Sequence, residues 1–312
     1  MSGRRDAVLY LFLAAAWGTS FVATKAALAS VPPVVLAAVR FDLVAAVLFA
    51  VAALGGRDLR PRGRDDLAPI LTGGLLVIGA HNALLFSGQQ YVTSAVASTL
   101  LGLVPILTPV AARFLRPDER LARRGVAGLA LGFLGVVLIA DPDPTNLLAD
   151  VRGVGFVFAS AAVFVAGIVT TREERTTLDP VATQAWMALT GAALLHLAIP
   201  VLPGESLAAA TVTPAVVGWV VYLAVVPGAW GFFVYFRLLE RLGPLQMALL
   251  EYVIPPFAAG FGWLVLGEEL TATTAYGFVA ILAGFLLLKA ESIRAALRRR
   301  GYGQETDAET RG

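Results

Sequence analysis

The sequence contains no cysteine, only two histidines and only 15% charged residues in 312 positions. The lack of cysteine excludes a disulfide framework, a thiolate metal site and a cysteine nucleophile, and two histidines are too few for a typical histidine-built metal centre. The sequence also lacks a phosphate-binding loop and the glycine fingerprint of a dinucleotide site. We therefore expect no metal ion and no cofactor.

Apolar residues are abundant: they make up 58% of the chain, and the mean hydropathy is +0.77. A soluble domain usually carries about a quarter charged and about half apolar residues. About ten segments of ~22 apolar residues would cross a bilayer and leave no room for a separate soluble domain. We expect ten helical spans near residues 7–28, 33–54, 67–88, 94–115, 123–140, 151–171, 181–202, 214–237, 244–266 and 271–290.

The basic residues lie in alternate connections between these predicted spans. Four arginines fall within residues 57–64 and five within 113–124, whereas the connection 141–150 is acidic. Connections rich in lysine and arginine stay in the cytoplasm. The alternation therefore predicts a multi-pass protein of the cell membrane with both termini cytoplasmic. Because the positive charge reports orientation, it gives no reason to expect nucleic acid as a partner.

The two halves of the chain resemble each other at an offset of about 150 residues. Matching positions include Pro105 with Pro255, Asp118-Glu119 with Glu268-Glu269, Gly128 with Gly277 and Gly135 with Gly284. Five spans per half is an odd number, so two such repeats must be inverted across the membrane, as in many secondary transporters. We place the first repeat at 1–141, the second at 151–291 and a cytoplasmic tail at 292–312.

Several motifs resemble those of the EamA-type members of the drug/metabolite transporter superfamily. They are the run from Trp17 to Phe21 with Lys25, Pro32-Pro33 followed by Arg40-Phe41, and the two similar stretches 103–119 and 253–271. The resemblance implies an all-α polytopic fold of ten transmembrane helices in two inverted five-helix repeats. It also implies a central cavity lined mainly by the first, third, fourth, sixth, eighth and ninth helices, and it implies no particular substrate.

Charged side chains at membrane depth are costly and mark functional candidates. Arg40 and Asp42 lie in the second predicted span; two residues apart on a helix, they cannot both face one cavity. We interpret both as structural charges. Glu251, whose counterpart in the first repeat is Leu101, is predicted to face the cavity, either as the proton-coupling group or as the counter-charge for a cationic part of the substrate. A static salt bridge from Glu251 to Arg40, or a contact of Glu251 with the backbone, is the alternative.

Polar and aromatic side chains away from the membrane interfaces complete the predicted site. His81 and Asn82 offer hydrogen-bond donors and acceptors to a solute, and the rings of Trp17 and Trp230 can stack on one; core packing is the alternative for each. The predicted substrate-binding residues are Trp17, Thr19, His81, Asn82, Ser98, Phe164, Trp230, Glu251 and Tyr252. The predicted helix kinks are at Pro105, Pro255 and Pro256.

These patterns predict a secondary transporter, not an enzyme, that exports small organic metabolites such as amino acids or amphipathic compounds by alternating access. Its partners would be a small-molecule substrate and the lipid bilayer, and the chain would act as a monomer or a homodimer. Two other classes remain open. An intramembrane lipid-modifying enzyme would need paired catalytic groups at one depth, and a membrane scaffold or sensor would need no solute cavity.

Overall fold

The computed structural model describes residues 2–115, 123–140, 147–173, 176–290 and 293. Within these ranges the chain forms helices and no strand. The α-helices are α1 (Ser2–Leu28), α2 (Pro33–Leu54), α3 (Arg64–Thr72), α4 (His81–Gln89), α5 (Ser94–Leu101), α6 (Val104–Leu115), α7 (Arg123–Ala140), α8 (Leu147–Glu173), α9 (Pro180–Ala198), α10 (Pro214–Leu223), α11 (Gly231–Leu242), α12 (Pro244–Phe261) and α13 (Ala272–Leu288). The acidic pair at 118–119 and, apart from Ile293, the predicted tail lie outside the described residues.

Three π-helical segments extend these helices. Gly73–Ala80 joins α3 to α4, Ala224–Trp230 joins α10 to α11, and Gly262–Leu266 follows α12. The second contains Pro227, which cannot donate the usual helical hydrogen bond, and π segments often mark functional positions in helices. The predicted third and eighth spans are therefore helical throughout, with a wider turn near the middle.

The lengths and composition of the helices fit a bilayer. Eight helical spans in the described residues are long and apolar enough to cross a membrane, and the apolar helices Arg124–Ile139 and Ala272–Leu288 are shorter. An apolar helix satisfies its backbone hydrogen bonds internally, as the hydrocarbon core requires. The chain is therefore an all-helical, multi-pass membrane protein.

The prolines of the two similar stretches occupy different places. Pro105 lies in the first turn of α6, directly after the interruption at Gly102 and Leu103, where proline sacrifices no helical hydrogen bond. Pro255 and Pro256 lie inside α12, which stays helical through both. The interruption between α5 and α6 thus has no counterpart at Pro255 and Pro256.

Small residues bring α7 and α13 into close contact. A Cβ atom on Gly128 would lie 2.5 Å from the carbonyl oxygen of Gly284, and one on Gly135 would lie 2.7 Å from that of Gly277. Side chains at these glycines would therefore separate the helices. The glycines matched between the two halves of the sequence meet crosswise here, as expected for two elements related by an approximate twofold axis.

One end of the bundle is held by contacts among connections that the charge pattern places in the cytoplasm. The guanidinium of Arg57, before α3, contacts the carboxylate of Asp179, before α9, at 2.7 Å. Burial acts to raise the pKa of Asp179, but hydrogen bonds from Arg57 and the backbone N–H of Val181, together with the Arg57 charge, lower this pKa overall. At the same end Arg241 contacts Asp6 at 3.0 Å.

The opposite end is held by contacts among connections predicted to lie outside. Glu205, after α9, accepts hydrogen bonds from the backbone N–H groups of Val34 and Val35 at 3.0 and 3.2 Å. It thereby satisfies donors left open at the start of α2. The hydrogen bond from the backbone N–H of Thr211 to the Ser30 carbonyl, at 2.8 Å, lies at the same end. Each of these contacts joins connections that the charge pattern assigns to one side.

Candidate functional site

The helix α1 occupies a central place in the bundle. It packs along α12 and also contacts α4, α5, α10 and α11. Four of the predicted site residues lie on α1 or α12: Trp17, Thr19, Glu251 and Tyr252. The interface between these two helices is therefore one part of the predicted site.

Glu251 projects from α12 as a half-buried carboxylate. Its electrostatic neighbours are Tyr10 of α1 and Tyr252. Both tyrosine hydroxyls are engaged elsewhere: that of Tyr10 donates to the carbonyl oxygen of Gln246 at 2.9 Å, and that of Tyr252 to the carbonyl oxygen of Gly102 at 2.8 Å. Among the described residues, Glu251 has neither a hydrogen-bond partner nor an ion-pair partner. Its carboxylate is thus free to interact with a proton or a solute.

Arg40, like Glu251, has no ion-pair partner among the residues that the structure describes. Its guanidinium carbon lies 5.1 Å from the ring centroid of Phe41 and 5.7 Å from that of Phe86, and it interacts electrostatically with His81. The Nε atom is fully enclosed and has no hydrogen-bond partner. Arg40 and Glu251 form no ion pair in this conformation, so the alternative of a static bridge between them finds no support here.

Asp42 faces away from Arg40, as a separation of two residues on a helix requires. Its carboxylate lies 2.7 Å from the Nε2 atom of His196 on α9, and both side chains are exposed at the surface of the bundle. Asp42 therefore does not compensate the charge of Arg40.

His81 and Phe164 form a separate cluster with α8. The Nδ1 atom of His81 lies 3.1 Å from the carbonyl oxygen of Ser160, and the His81 ring is 4.7 Å from that of Phe164. Asn82, next to His81, donates from Nδ2 to the carbonyl oxygen of Ile78 at 2.9 Å. Within the described part of the chain, its Oδ1 atom remains unused. The cluster joins α4 to α8, and His81 and Asn82 are both buried within it.

The tryptophan pair connects α1 to the π segment Ala224–Trp230. Trp17 donates from Nε1 to the carbonyl oxygen of Pro227 at 3.1 Å and stacks on Tyr235 at 5.4 Å. Trp230 contacts Phe12 edge-on at 4.6 Å. The contacts of Trp17 and Trp230 do not include His81, so the predicted common aromatic lining appears as two clusters in this conformation.

The two predicted hydroxyl residues bond to nearby groups. Thr19 contacts the Tyr222 hydroxyl and donates to the carbonyl oxygen of Ala15 at 2.7 Å. Ser98 is only 1% exposed, and its hydroxyl donates to the carbonyl oxygen of Ala95 at 2.9 Å. Thr19 therefore belongs to the interface between α1 and α10, and Ser98 to the packed interior.

Sequence reasoning missed Tyr10, an electrostatic neighbour of Glu251, and Tyr235, which stacks on Trp17. Tyr10 lies seven positions before Trp17 on α1, so the two residues share a helix face after two turns. This spacing could have identified Tyr10 as a candidate site residue from the sequence. No comparable signal points to Tyr235, because its proximity to Trp17 depends on the packing of α1 against α11.

The helices α1 and α8, which correspond to each other in the predicted repeats, differ in their packing contacts. The helix α1 packs against α4 and α5 of its own predicted repeat. In the described residues, α8 makes no comparably extensive contact with α11 or α12, the corresponding helices of the second repeat. Lys25 reinforces the packing of α1: its Nζ atom donates to the carbonyl oxygens of Gln89 and Val92, each at 2.7 Å. Lys25 thus joins the last turn of α1 to the connection between α4 and α5.

Fold and site together define a polytopic α-helical membrane protein with unpaired charges inside its helix bundle. In the described residues, no group of three or more histidine or acidic side chains is arranged to hold a metal ion. The model of the EamA-like transporter family matches residues 6–140 and 151–289, and the chain belongs to this family of the drug/metabolite transporter superfamily.

Several curated relatives match almost the whole chain. An "Uncharacterized transporter" of Archaeoglobus fulgidus is 27% identical over 277 residues, which cover 87% of this chain and 94% of the relative. A "Probable amino-acid metabolite efflux pump" of Escherichia coli is 27% identical over 292 residues, covering 91% and 94%. A "Probable terminal-alkyne amino-acid exporter" of Streptantibioticus cattleyicolor is 29% identical over 299 residues, covering 95% and 94%.

The fold also matches a solved structure. That crystal structure is 21% identical in sequence, covers 94% of this chain and 99% of its own, and superposes with a TM-score of 0.63. At this level of identity the match shows a common fold. The protein is therefore a membrane transporter by family and shares its architecture with a protein of known structure.

Proposed function

We propose that this protein exports small organic metabolites of the amino-acid type by alternating access. In this proposal ten transmembrane helices form two inverted five-helix repeats, residues 1–141 and 151–291, with both termini and the tail 292–312 in the cytoplasm. The crosswise contacts between the glycines of α7 and α13 support the inverted repeats. The contacts between connections of the same predicted side support the alternation of spans.

The observation that carries the proposal is the free carboxylate of Glu251. A half-buried acid in a membrane-spanning helix, with no partner among the described residues, is costly unless it meets water, a proton or a bound cation. A packing role would be met by an apolar residue such as Leu101, its counterpart in the first half. In the proposal Glu251 faces the transport path and either carries the coupling proton or pairs with the ammonium group of the substrate.

The names of two relatives support the substrate class. One is named as a probable efflux pump for amino-acid metabolites and the other as a probable exporter of a terminal-alkyne amino acid. The free charges of opposite sign, Glu251 and Arg40, suit a solute that carries both an ammonium and a carboxylate group. The half-buried ring of Tyr10, an electrostatic neighbour of Glu251, offers apolar contact to its side chain.

The other two classes find less support. A lipid-modifying enzyme needs an acid and a base or nucleophile close together, but Arg40 and His81 come together without a carboxylate among the described residues, and Glu251 lies beside tyrosines whose hydroxyls are engaged. A scaffold or sensor gives no reason to keep two charges unpaired inside the bundle. We therefore propose no enzymatic activity.

The decisive experiment is solute counterflow in proteoliposomes. Vesicles loaded with an unlabelled amino acid or nucleoside should accumulate the same labelled compound when they contain the protein, and protein-free vesicles should not. Counterflow needs no knowledge of the coupling ion, because it reports exchange through the site. Accumulation of an amino acid supports the proposal. Failure of every amino acid tested, with protein shown to be folded and inserted, contradicts it.

A further inference from the structure

The guanidinium of Arg40 has no partner of opposite charge in the described residues. Only its Nε atom is both enclosed and unbonded; the two terminal nitrogens likewise make no hydrogen bond there but are not fully enclosed. The rings of Phe41 and Phe86 line the guanidinium. Its terminal nitrogens are therefore hydrogen-bond donors without a partner in this part of the chain.

The charged groups closest along the helix are accounted for. Asp42 is bonded to His196 on another face of α2. The neighbouring His81 contacts the carbonyl oxygen of Ser160 through Nδ1. Neither side chain neutralises Arg40.

Glu251 also cannot serve as a resident counter-ion in this conformation. Arg40 is seven residues from the start of α2 and Glu251 seven from the start of α12, or about 10 Å along each helix. The starts of α2 and α12 lie at opposite predicted sides of the membrane, so the two charges approach the centre from different sides. No ion pair joins them, and the positive charge of Arg40 remains uncompensated.

We propose that Arg40 is the subsite for the carboxylate of the transported solute, an inference that rests on the proposed transport of amino-acid-type metabolites. A guanidinium presents parallel N–H donors that match the two oxygens of a carboxylate, and such charge-assisted pairs are strong away from water. A buried charge is costly without a partner and is stabilised by one. In the transporter without bound solute, Arg40 is therefore unpaired, and the carboxylate of a bound solute forms an ion pair with its guanidinium.

This inference replaces our interpretation of Arg40 as a structural charge. A structural arginine in a membrane helix binds a fixed acid or helix-end carbonyl oxygens. Arg40 does neither among the described residues, in contrast to Lys25, which binds two carbonyl oxygens at 2.7 Å. Lys25 thus has a structural role in binding helix-end carbonyl oxygens, whereas Arg40 does not.

The test begins with the wild-type protein in proteoliposomes. Counterflow of L-phenylalanine, L-leucine and L-threonine is measured, and each transported compound is challenged with its own amide, which keeps the side chain and the ammonium group but lacks the carboxylate. We expect each amide to compete about ten- to a hundredfold more weakly than the parent amino acid, because it loses a charge-assisted pair. Equal potency of the amide and the parent overturns the subsite.

Substitutions then assign the effect to Arg40. Arg40→Gln should remove most of the preference for the parent amino acid over its amide, and Arg40→Lys should keep part of it. Arg60→Gln and Arg60→Lys, at an exposed connection, are matched controls that should keep the full preference. An unchanged preference in Arg40→Gln, with normal thermal unfolding, overturns the assignment.

The outcomes also separate this inference from the proposed function. If the wild-type protein transports none of the three amino acids, both the transport proposal and the subsite are wrong. If it transports them without discriminating against the amides, the transport proposal stands and the subsite alone is wrong. If Arg40→Gln does not fold, the wild-type competition still decides, since it requires no substitution.

Discussion

The carboxylate of Glu268 binds the first residue of α5, Ser94. Its two oxygens accept hydrogen bonds from the Ser94 backbone N–H at 3.1 and 3.0 Å, and one of them also accepts from the Ser94 hydroxyl at 3.2 Å. Glu268 lies beyond α12, in the second half of the chain, and interacts electrostatically with Lys25 of α1. One carboxylate thus links α5, the connection before α13 and, through Lys25, the end of α4.

This linkage predicts that Glu268 holds the outer end of the bundle closed. Glu268→Gln removes the charge that stabilises the N-terminus of α5, and loss of a helix cap costs about 1 kcal/mol, so we expect about fivefold faster opening. The measurement is labelling of Ala95→Cys, which is 5% exposed at this end, by an impermeant thiol reagent added outside sealed cells. The native chain has no cysteine, so the introduced thiol is the only target.

The neighbouring acid supplies the control. Glu269 is exposed, and no hydrogen bond of its side chain is found in the described residues. Glu269→Gln should therefore leave the labelling of Ala95→Cys unchanged. Equal labelling rates in both variants and in the wild-type background would show that Glu268 is a local helix cap without influence on opening.

The membrane class and the family could be read from the sequence, because they depend on composition and local motifs. Most of the predicted spans agree closely with helices that begin at a proline or a capping residue, as at Pro33 and Pro180. Side-chain partners could not be read. The engagement of Trp17 with Pro227, or of Tyr252 with Gly102, depends on how distant helices pack, and periodicity within one helix carries no information about its neighbour.

The same limit explains the reinterpretation of Arg40. From the sequence, a salt bridge from Glu251 to Arg40 was an open alternative, whereas Asp42, two residues from Arg40 on the same helix, projects in a different direction. In the structure the carboxylate of Asp42 contacts His196, and Glu251 lies beside Tyr10 and Tyr252. The packing of the helices determines which charge is left without a partner. The proposed role of Arg40 depends on this packing.

The charge pattern predicts the orientation of the connections. Gly63 lies in the arginine-rich connection before α3, and a Cβ atom there would meet no atom within 4 Å, so Gly63→Cys should be tolerated. In sealed cells this thiol should be shielded from an impermeant reagent, whereas Ala208→Cys, in the exposed connection after α9, should react. Reaction at position 63 together with protection at position 208 would invert the topology.

The aromatic clusters predict a graded loss of transport. Trp17→Ala, His81→Ala and Trp230→Ala should each lower counterflow a few-fold, up to about tenfold, because aromatic contacts of this kind contribute roughly 0.5–1.5 kcal/mol. Trp263→Ala, at a residue 68% exposed on the bundle surface, is the matched control and should transport normally. If all three cluster variants match this control at equal expression, the rings serve core packing alone.

Glu251→Gln tests the two roles proposed for the carboxylate. The substitution keeps the shape of the side chain and removes its ability to carry charge. If Glu251 carries the coupling proton, net transport driven by a pH gradient should be lost while substrate exchange persists, because exchange needs no cycle of protonation. If Glu251 pairs with the ammonium group of the substrate, exchange itself should weaken about ten- to a hundredfold.

These outcomes differ because a proton carrier must alternate between wet and dry surroundings, whereas a binding group must only contact the solute. Glu251 is placed for either role, since it lies four residues before the Pro255-Pro256 pair on the helix that packs along α1. Glu240→Gln, at an exposed acid near the end of α11, controls for the general loss of a negative charge. Wild-type transport with unchanged pH dependence in Glu251→Gln would mean that the free carboxylate takes no part in the transport cycle, and the charge requirement would then fall on Arg40 alone.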